Sequence, residues 1–412
     1  MKILVVCQYY YPEPFRIHEV CAELVNRGHE VTVLTGLPNY PMGIIPDEYK
    51  GRQHRDEVMD GVHVVRVTEI PRKRGKIGLA KNYVSFVFFG SLKALTMKKD
   101  FDAIFVYQLS PVLMAIPAYV AKWFSKCKKL CIYCLDLWPE SLSSLGISHD
   151  SGFYGFMKRV SVRIYKGAGS IGYTSRMFEK YFREYLGIGD KRFVHIPQFA
   201  DEIFSHMEED SDETENTDVN GILDNTKNSD NSRYINFVFA GNVGEMQSVD
   251  TIIKAAALVR NERIRWYIVG DGFALESCKK LCDDMGLNEK VIFVGRRPVE
   301  EMPKFYKMAD AMIVTLADNE TISYTLPGKI QSYMAAGKPI LAAANGETAH
   351  VINEAGCGLC APSEDAEAFA KIADEMAGSD FERYKTASER YYDEHFTKKL
   401  HVDLIEEMLE KD

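Results

Sequence analysis

Short apolar runs alternate with helix-period segments along almost the whole chain, and this alternation most narrows the folds open to it. "KILVVC" reads as a buried strand. Ile17, Val20, Cys21, Leu24 and Val25 then share one helical face, which Gly28 ends. "EVTVLT", "VHVVRV", "AIFVYQ" and "KLCIYCL" continue the series, with short elements at 169–173 and 193–196 closing the first half. It resumes with "INFVFA", "IRWYIVG", "KVIFVG", "AMIVTL" and "PILAAA" and ends in helices. Strands separated by helices at this spacing predict an α/β chain of parallel sheets wrapped by helices. At 412 residues the chain is too long for one core, so two domains facing a cleft are expected. The break falls at 205–232, where nine acidic residues and one lysine occur with almost no apolar side chain. That composition predicts a polar linker or an extruded loop. The expected domains are 1–204 and 233–394, with a C-terminal helix over about 395–412 free to pack back on the first.

Charge is unevenly divided. Residues 1–200 carry 28 Lys and Arg against 18 Asp and Glu, a balance of +10, whereas the whole chain stands at −9. The first half is therefore expected to face something anionic, nucleic acid or a membrane surface. Residues 70–99 hold eight Lys or Arg and no acidic residue around the apolar "YVSFVFFGSLKAL". This stretch is too short to cross a bilayer and has the make-up of a segment lying in an anionic interface. Basic clusters at 122–129 and 158–166 keep the same sign, and no nucleic-acid recognition module is visible. The N-terminal apolar run is six residues long with no small-residue cleavage site after it, so it reads as a strand and not as a signal peptide. A cytoplasmic protein held peripherally on the inner membrane face is expected. The nine cysteines suit a reducing compartment. Cys131 and Cys134 fall on a strand pattern, where residues three apart point to opposite faces and cannot share an ion. Cys357 and Cys360 are likewise expected to be free thiols, with no metal bound.

The loops that follow the strands of the second half carry the chemistry. "GNVGEMQ" holds Gly241, Asn242, Gly244 and Gln247; "GDGF" begins at Gly270; "GRRP" brings Arg296 and Arg297; "ADNETISYTLPGK" brings Glu320, Thr325, Gly328 and Lys329. In parallel sheets ligands sit beyond the carboxyl ends of strands, and glycines with helix N-termini favour phosphates there. A diphosphate flanked by a ribose and a base fits such a rim. Thr325 is the expected N-cap of the next helix, Pro327 fits its first turn, and Lys329 is placed to reach an anion at that end.

These motifs resemble the donor-binding half of glycosyltransferase family 4, retaining enzymes of the GT-B fold with two Rossmann-like domains. In the first half "QYYYPEPFRIHEVCAELVNRGHEVTVLTGLPNYPMG" and "DLWPESLSSLG" resemble the subgroup of WbuB-type N-acetyl-L-fucosamine transferases of O-antigen and capsule assembly. "IPQFADEIF" and "GNVGEMQ" resemble the family's segment before the hinge and its G-N-x-G-x-x-Q turn. The resemblance implies transfer from a nucleotide sugar, with uridine as the base, onto a saccharide carried on a polyprenyl diphosphate, without a bound metal. The departing phosphate would help to deprotonate the acceptor. Many relatives carry Arg and Lys in the glycine turn where this chain has Asn242 and Gln247, so positive charge falls to Lys329, Arg296 and Arg297. Of two glutamates eight residues apart in the family, the positions here are Tyr324 and Ser332, with Glu320 four residues upstream. Asp136, preceded by Leu135 where histidine is common, and Arg16, in place of a glycine, are the candidate catalytic residues. His18 reads as a surface residue of the first helix. Two other classes compete, a nucleotide-sugar epimerase of the same fold and a non-catalytic glycan-binding protein. A dinucleotide-dependent oxidoreductase lacks its strand-G-x-G-x-x-G signature in both halves.

Overall fold

The computed structural model describes residues 1–51, 53–73, 75–205 and 234–411, so the acidic stretch expected to link or loop lies outside the described residues except for Ser205. Two compact units result, Met1–Ile196 with Lys399–Asp412, and Pro197–Lys398.

The first unit is an eight-stranded sheet: β1 (Lys2–Val6), β2 (Glu30–Thr35), β3 (Asp56–Met59), β4 (Val62–Arg66), β5 (Ala103–Gln108), β6 (Lys129–Cys134), β7 (Ser170–Tyr173) and β8 (Arg192–His195). Their order is β3-β4-β2-β1-β5-β6-β7-β8. Every neighbouring pair is parallel except β3 with β4, an antiparallel edge hairpin that the alternation does not signal. The connecting helices are α1 (Ile17–Asn26), α2 (Lys76–Thr96), α3 (Ile116–Phe124), α4 (Gly152–Gly167) and α5 (Arg176–Lys180). Right-handed crossovers put α1, which leads leftward from β1 to β2, on one face. The connections that move rightward put α2, α3 and α4 on the other.

The second unit is a six-stranded, all-parallel sheet of β9 (Ile235–Ala240), β10 (Ile264–Val269), β11 (Val291–Gly295), β12 (Ala311–Thr315), β13 (Ile340–Ala343) and β14 (Gly358–Ala361). The order β11-β10-β9-β12-β13-β14 is the doubly wound arrangement, with its topological switch between β9 and β12. Its helices are α6 (Asp250–Ala256), α7 (Leu275–Asp284), α8 (Met302–Met308), α9 (Glu320–Ser323), α10 (Gly328–Ala335), α11 (Gly346–Ala355), α12 (Ala366–Ala377) and α13 (Phe381–His395). β9 is buried along its whole length, as strands covered on both faces must be. Phe237 and Phe239 point to one layer with Trp266 and Phe369, while Val238 points to the other with Tyr333 and Met334. Each such fully buried side chain stabilises the unit by about 1.5–3 kcal/mol.

The last helix, α14 (Lys398–Glu410), belongs almost wholly to the first unit. Arg27 at the end of α1 reaches Asp403 at 2.7 Å and Glu406 at 2.9 Å, and His29 Nε2 lies 2.7 Å from Glu406 Oε1. Cys131 faces the Met408 carbonyl of α14 whereas Cys134 lies 3.6 Å from the Tyr165 hydroxyl of α4, on the other side of the sheet. Among the described residues no group of three or more His, Cys, Asp or Glu is arranged to hold a metal ion. No helix among them is long and apolar enough to cross a membrane.

Candidate active site

At the switch point of the second unit the chain after β9 turns at Gly241, whose φ of +145° suits glycine. Backbone bonds lock this turn to the loop after β10: Val243 N donates to Asp271 O and Ala274 N to Val243 O. Gly270, at φ +151°, lies so close that a methyl group there would come within 1.8 Å of the Gly241 carbonyl oxygen. Gly270→Ala therefore cannot keep this geometry. We expect it to cost about 1–3 kcal/mol and to abolish ligand binding at the turn, as seen by thermal denaturation and calorimetry. Beyond Gly241, Asn242 Nδ2 donates to Gln247 Oε1 at 3.0 Å across Gly244. Thr315 at the end of β12 donates to the Gln247 carbonyl, and Ala317 N to Met246 O. Both sides of the switch point thus fix the turn.

Lys329 is brought to the same place by helix periodicity. Tyr333, one turn further along α10, is bonded through its hydroxyl to both backbone groups of Ala240. Residues four apart share a helical face, so pinning Tyr333 to the end of β9 sets Lys329 over the turn. A methyl group on Gly241 would lie 3.2 Å from Lys329 Nζ. The ammonium sits 4.0 Å from the Phe239 ring centroid and is buried without a hydrogen-bond partner. Burial lowers its pKa to about 7. A buried ammonium without a hydrogen-bond partner, beside a glycine turn and at a helix N-terminus, is an arrangement that favours an anion.

The remaining expected residues are not gathered as tightly. Thr325 is not the N-cap of α10. It follows the end of α9, its hydroxyl donating to the Ile322 carbonyl, and Pro327 occupies the cap position. Two short helices follow one another here, which the single run "ETISYTLPGK" does not reveal. Gly328 opens α10 and is exposed, and Ser332 turns its hydroxyl back on the Gly328 carbonyl at 3.4 Å. Glu320 is exposed and accepts from the Tyr324 hydroxyl at 3.1 Å. Arg296 follows β11 on the surface, and Arg297 is 3.9 Å from Glu301. Sequence reasoning misses Glu347, a buried carboxylate in the first turn of α11. Gly346 before it packs so closely on the Ser323 carbonyl that α11 is tied to α9.

In the first unit a cavity of about 340 Å³ opens at the corresponding switch between β1 and β5, lined by Tyr9, Phe15, Arg72, Tyr83, Asp136 and Trp138 among others. Asp136 follows β6 and accepts from the Ser110 hydroxyl at 2.9 Å, while Trp138 Nε1 donates to the same hydroxyl. Burial raises the Asp136 pKa, and the bonds from Ser110 oppose the rise. Arg16 does not line the cavity; it stands at the start of α1, and its neighbour Phe15 takes the place at the wall. Arg72 falls in sequence within a basic run that reads as surface, yet its backbone N–H bonds Asn39 Oδ1 and its guanidinium lies over Tyr40. A buried polar network holds these loops: Glu13 accepts from the backbone of Tyr10, Asn39 and Tyr40, and Glu69 accepts from Gln8 and Asn82. Burial pushes Glu13 up to about 7 and Glu69 well above the usual range. His18 lies 3.3 Å from Asp60 on the flank of α1. A larger opening of about 610 Å³ lies by Arg260, Lys371 and Asp374, where the chain enters β10, away from the carboxyl ends of the strands.

A doubly wound pair of sheets, one carrying a glycine turn under a buried lysine and the other an acid in an aromatic cavity, defines a GT-B glycosyltransferase. The comparisons agree. Residues 15–198 match the glycosyl transferase 4-like domain, and residues 224–392 match glycosyl transferases group 1. The chain belongs to the group 1 glycosyltransferases. It is 28% identical over 311 residues to "Probable glycosyltransferase WbjE" of Pseudomonas aeruginosa, covering 74% of this chain and 72% of that one. It is 22% identical over 350 residues to "Putative colanic acid biosynthesis glycosyl transferase WcaI" of Escherichia coli (strain K12), covering 82% of each. Among solved structures, sucrose-phosphate synthase from Thermosynechococcus elongatus aligns with a TM-score of 0.71 at 16% identity, over 100% of this chain and 98% of that one. HepE of Anabaena, in complex with UDP, aligns at 0.67 with 14% identity and complete coverage of both. At such identities the structural likeness speaks for the fold alone.

Proposed function

We propose that this protein is a retaining glycosyltransferase that moves a sugar from a UDP-sugar to a lipid-linked saccharide during assembly of a bacterial polysaccharide. The observation that carries the donor half is the buried, unpartnered Lys329 ammonium beside Gly241. The donor's diphosphate would lie between this ammonium, the Gly241–Gln247 turn and the N-terminus of α10. There its developing charge is stabilised as the bond to the sugar breaks, in a site already organised before the substrate arrives. Arg296 stands at the rim of the same sheet as a second cation, and Glu347 or Glu320 takes the place of a ribose-binding carboxylate. HepE, solved in complex with UDP, supports the donor, and WcaI, named for colanic acid biosynthesis, supports the process. The sequence marks of the N-acetyl-L-fucosamine subgroup favour an N-acetylated hexosamine or 6-deoxyhexosamine as the sugar transferred.

For the acceptor, Asp136 in its aromatic cavity orients a saccharide hydroxyl, and the rings of Tyr9, Phe15, Tyr83 and Trp138 offer stacking faces to sugar. Positioning of this kind lowers the barrier without a covalent role for the protein. Arg72 at the cavity wall, with Arg16 beside Phe15, supplies positive charge for a phosphate of the acceptor. Thermal-shift screening against nucleotide sugars, followed by turnover with a polyprenyl-diphosphate saccharide, tests this reading. UDP-sugars should stabilise the protein, and UDP should be released only with acceptor present. A sugar altered without acceptor would instead make the protein an epimerase, and nucleotide binding without turnover a non-catalytic binder.

A further inference from the structure

Two carboxylates, Glu13 and Glu69, belong to the buried network that reaches the wall of the first unit's cavity. Glu13 is 6% exposed and Glu69 3%. Among the described residues neither is paired with a lysine, arginine or histidine. Their surroundings differ. Glu13, in the loop after β1, accepts from the backbone N–H groups of Tyr10 at 3.2 Å, Asn39 at 2.9 Å and Tyr40 at 2.7 Å. Three such donors suit a charged carboxylate. Glu69, after β4, has its donors on one oxygen: Oε1 accepts from the side-chain amides of Gln8 and Asn82. Its Oε2 is buried with no hydrogen-bond partner. A methyl group on Gly36 would come within 1.8 Å of that Oε2 and 2.9 Å of the Gln8 carbonyl oxygen, so the spot is flanked by an acceptor. The other charged and titratable groups that act on this network are Arg66 on Glu13, and Arg72, Tyr9 and Tyr83 on the cavity side.

We propose that Glu69 is held as a neutral acid with its proton on Oε2, and that in this form it is a positioning residue for the wall of the acceptor cavity. Two carboxylates in one buried network do not both ionise. The one that accepts three amide bonds takes the charge, and the one with an oxygen facing no donor keeps the proton. The directions agree: burial and the Glu13 charge push Glu69 well above the usual carboxylate range, while backbone bonds limit the rise of Glu13 to about 7. From the neutral acid the network runs outward through α2. Asn82 donates to the Ile70 carbonyl at 2.8 Å and accepts from the Tyr9 hydroxyl at 3.3 Å. Its Nδ2 also lies 3.3 Å from Asn39 Oδ1, the oxygen that accepts from the Arg72 backbone N–H at 2.9 Å. Tyr9 and Arg72 both line the cavity. A neutral acid thus fixes two wall residues without offsetting the Arg72 charge offered to a phosphate of the acceptor. The positioning role rests on the reading of this cavity as the acceptor site.

Infrared difference spectra of the full-length protein in mildly alkaline buffer read the proton directly. The parent should show the carbonyl band of a protonated carboxylic acid that Glu69→Gln removes and Glu13→Gln leaves in place. Turnover with a short-chain polyprenyl-diphosphate N-acetylglucosamine reads the positioning. Glu69→Gln should keep the acceptor KM within about twofold of the parent, because its amide offers an N–H where the acid offers an O–H. Glu69→Leu leaves the Gln8 and Asn82 amides without their acceptor, and Asn82→Ala keeps the acid but cuts its link to Tyr9. Each should raise the acceptor KM about tenfold, with kcat and UDP affinity little changed. A band that Glu69→Gln does not remove, or a Glu69→Gln variant that unfolds or loses the acceptor as Glu69→Leu does, would overturn the proposal. So would an Asn82→Ala variant with the parent's acceptor KM. A parent that binds UDP but uses no acceptor would end the acceptor reading itself, and the infrared bands would still decide where the proton sits.

Discussion

Lys329→Met is expected to weaken UDP binding by about ten- to a hundredfold while leaving the unliganded protein at least as stable as the parent. The two effects have one cause. Lys329 holds an ammonium out of water without a hydrogen-bond partner, which costs the fold, and on the proposed reading a diphosphate would supply the opposite charge. The pH dependence follows with a definite sign. Burial lowers the folded-state pKa of Lys329 to about 7, below its ordinary value of 10.5. Between those pH values the unfolded chain binds more protons, so this residue's contribution makes stability rise with pH, and Lys329→Met should remove that contribution. Ligand binding runs the other way. A bound diphosphate favours the charged lysine, so UDP affinity should fall as pH rises above 7, with uptake of a proton on binding. Calorimetry in two buffers of different ionisation enthalpy measures that uptake directly. A variant with weaker binding and unchanged proton uptake would assign the proton to another group.

Asp136→Asn should lower transfer by about two orders of magnitude or more with little change in melting temperature. Asparagine keeps an acceptor oxygen for the Ser110 hydroxyl, so the bridge to Trp138 survives and the cavity keeps its shape. What is lost is the charge. Because burial raises the Asp136 pKa, its ionised form destabilises the fold slightly as pH rises through the carboxylate range, and removing it is neutral or mildly stabilising. On the acid side, activity should fall with a midpoint above that of an ordinary aspartate. Rates and thermal melts of one preparation decide the matter: full activity in the variant, or an unfolded variant, would reduce Asp136 to a structural bond.

The elements were legible because buried parallel strands are continuous apolar runs and their helices keep a 3.6-residue period. Gly241 was legible for the same reason, since a glycine where a strand stops and a helix pattern starts has few other uses. Strand order was not, because nothing in "INFVFA" or "AMIVTL" says that β9 and β12 are neighbours across the switch point. Local chemistry misled where two short elements adjoin. Thr325 has the side chain of an N-cap, yet it lies just past the end of α9 and its hydroxyl bonds back to that helix. Arg72 sits in a run of basic residues and so reads as solvated, but Asn39 and Tyr40 draw it to the cavity wall from 33 and 32 positions away. Lys329 was legible as a cation at a helix end. Its burial was not, since that depends on Tyr333 reaching Ala240 across 93 residues.

The central claim is that Lys329 and the Gly241–Gln247 turn seat the diphosphate of the donor, and four titrations test it most directly. UDP and uridine are each titrated into the parent and into Lys329→Met. The account predicts that the parent binds UDP about ten- to a hundredfold more tightly than the variant does, while uridine binds both alike. Loss of uridine affinity equal to the loss of UDP affinity, or no loss of either, would contradict it.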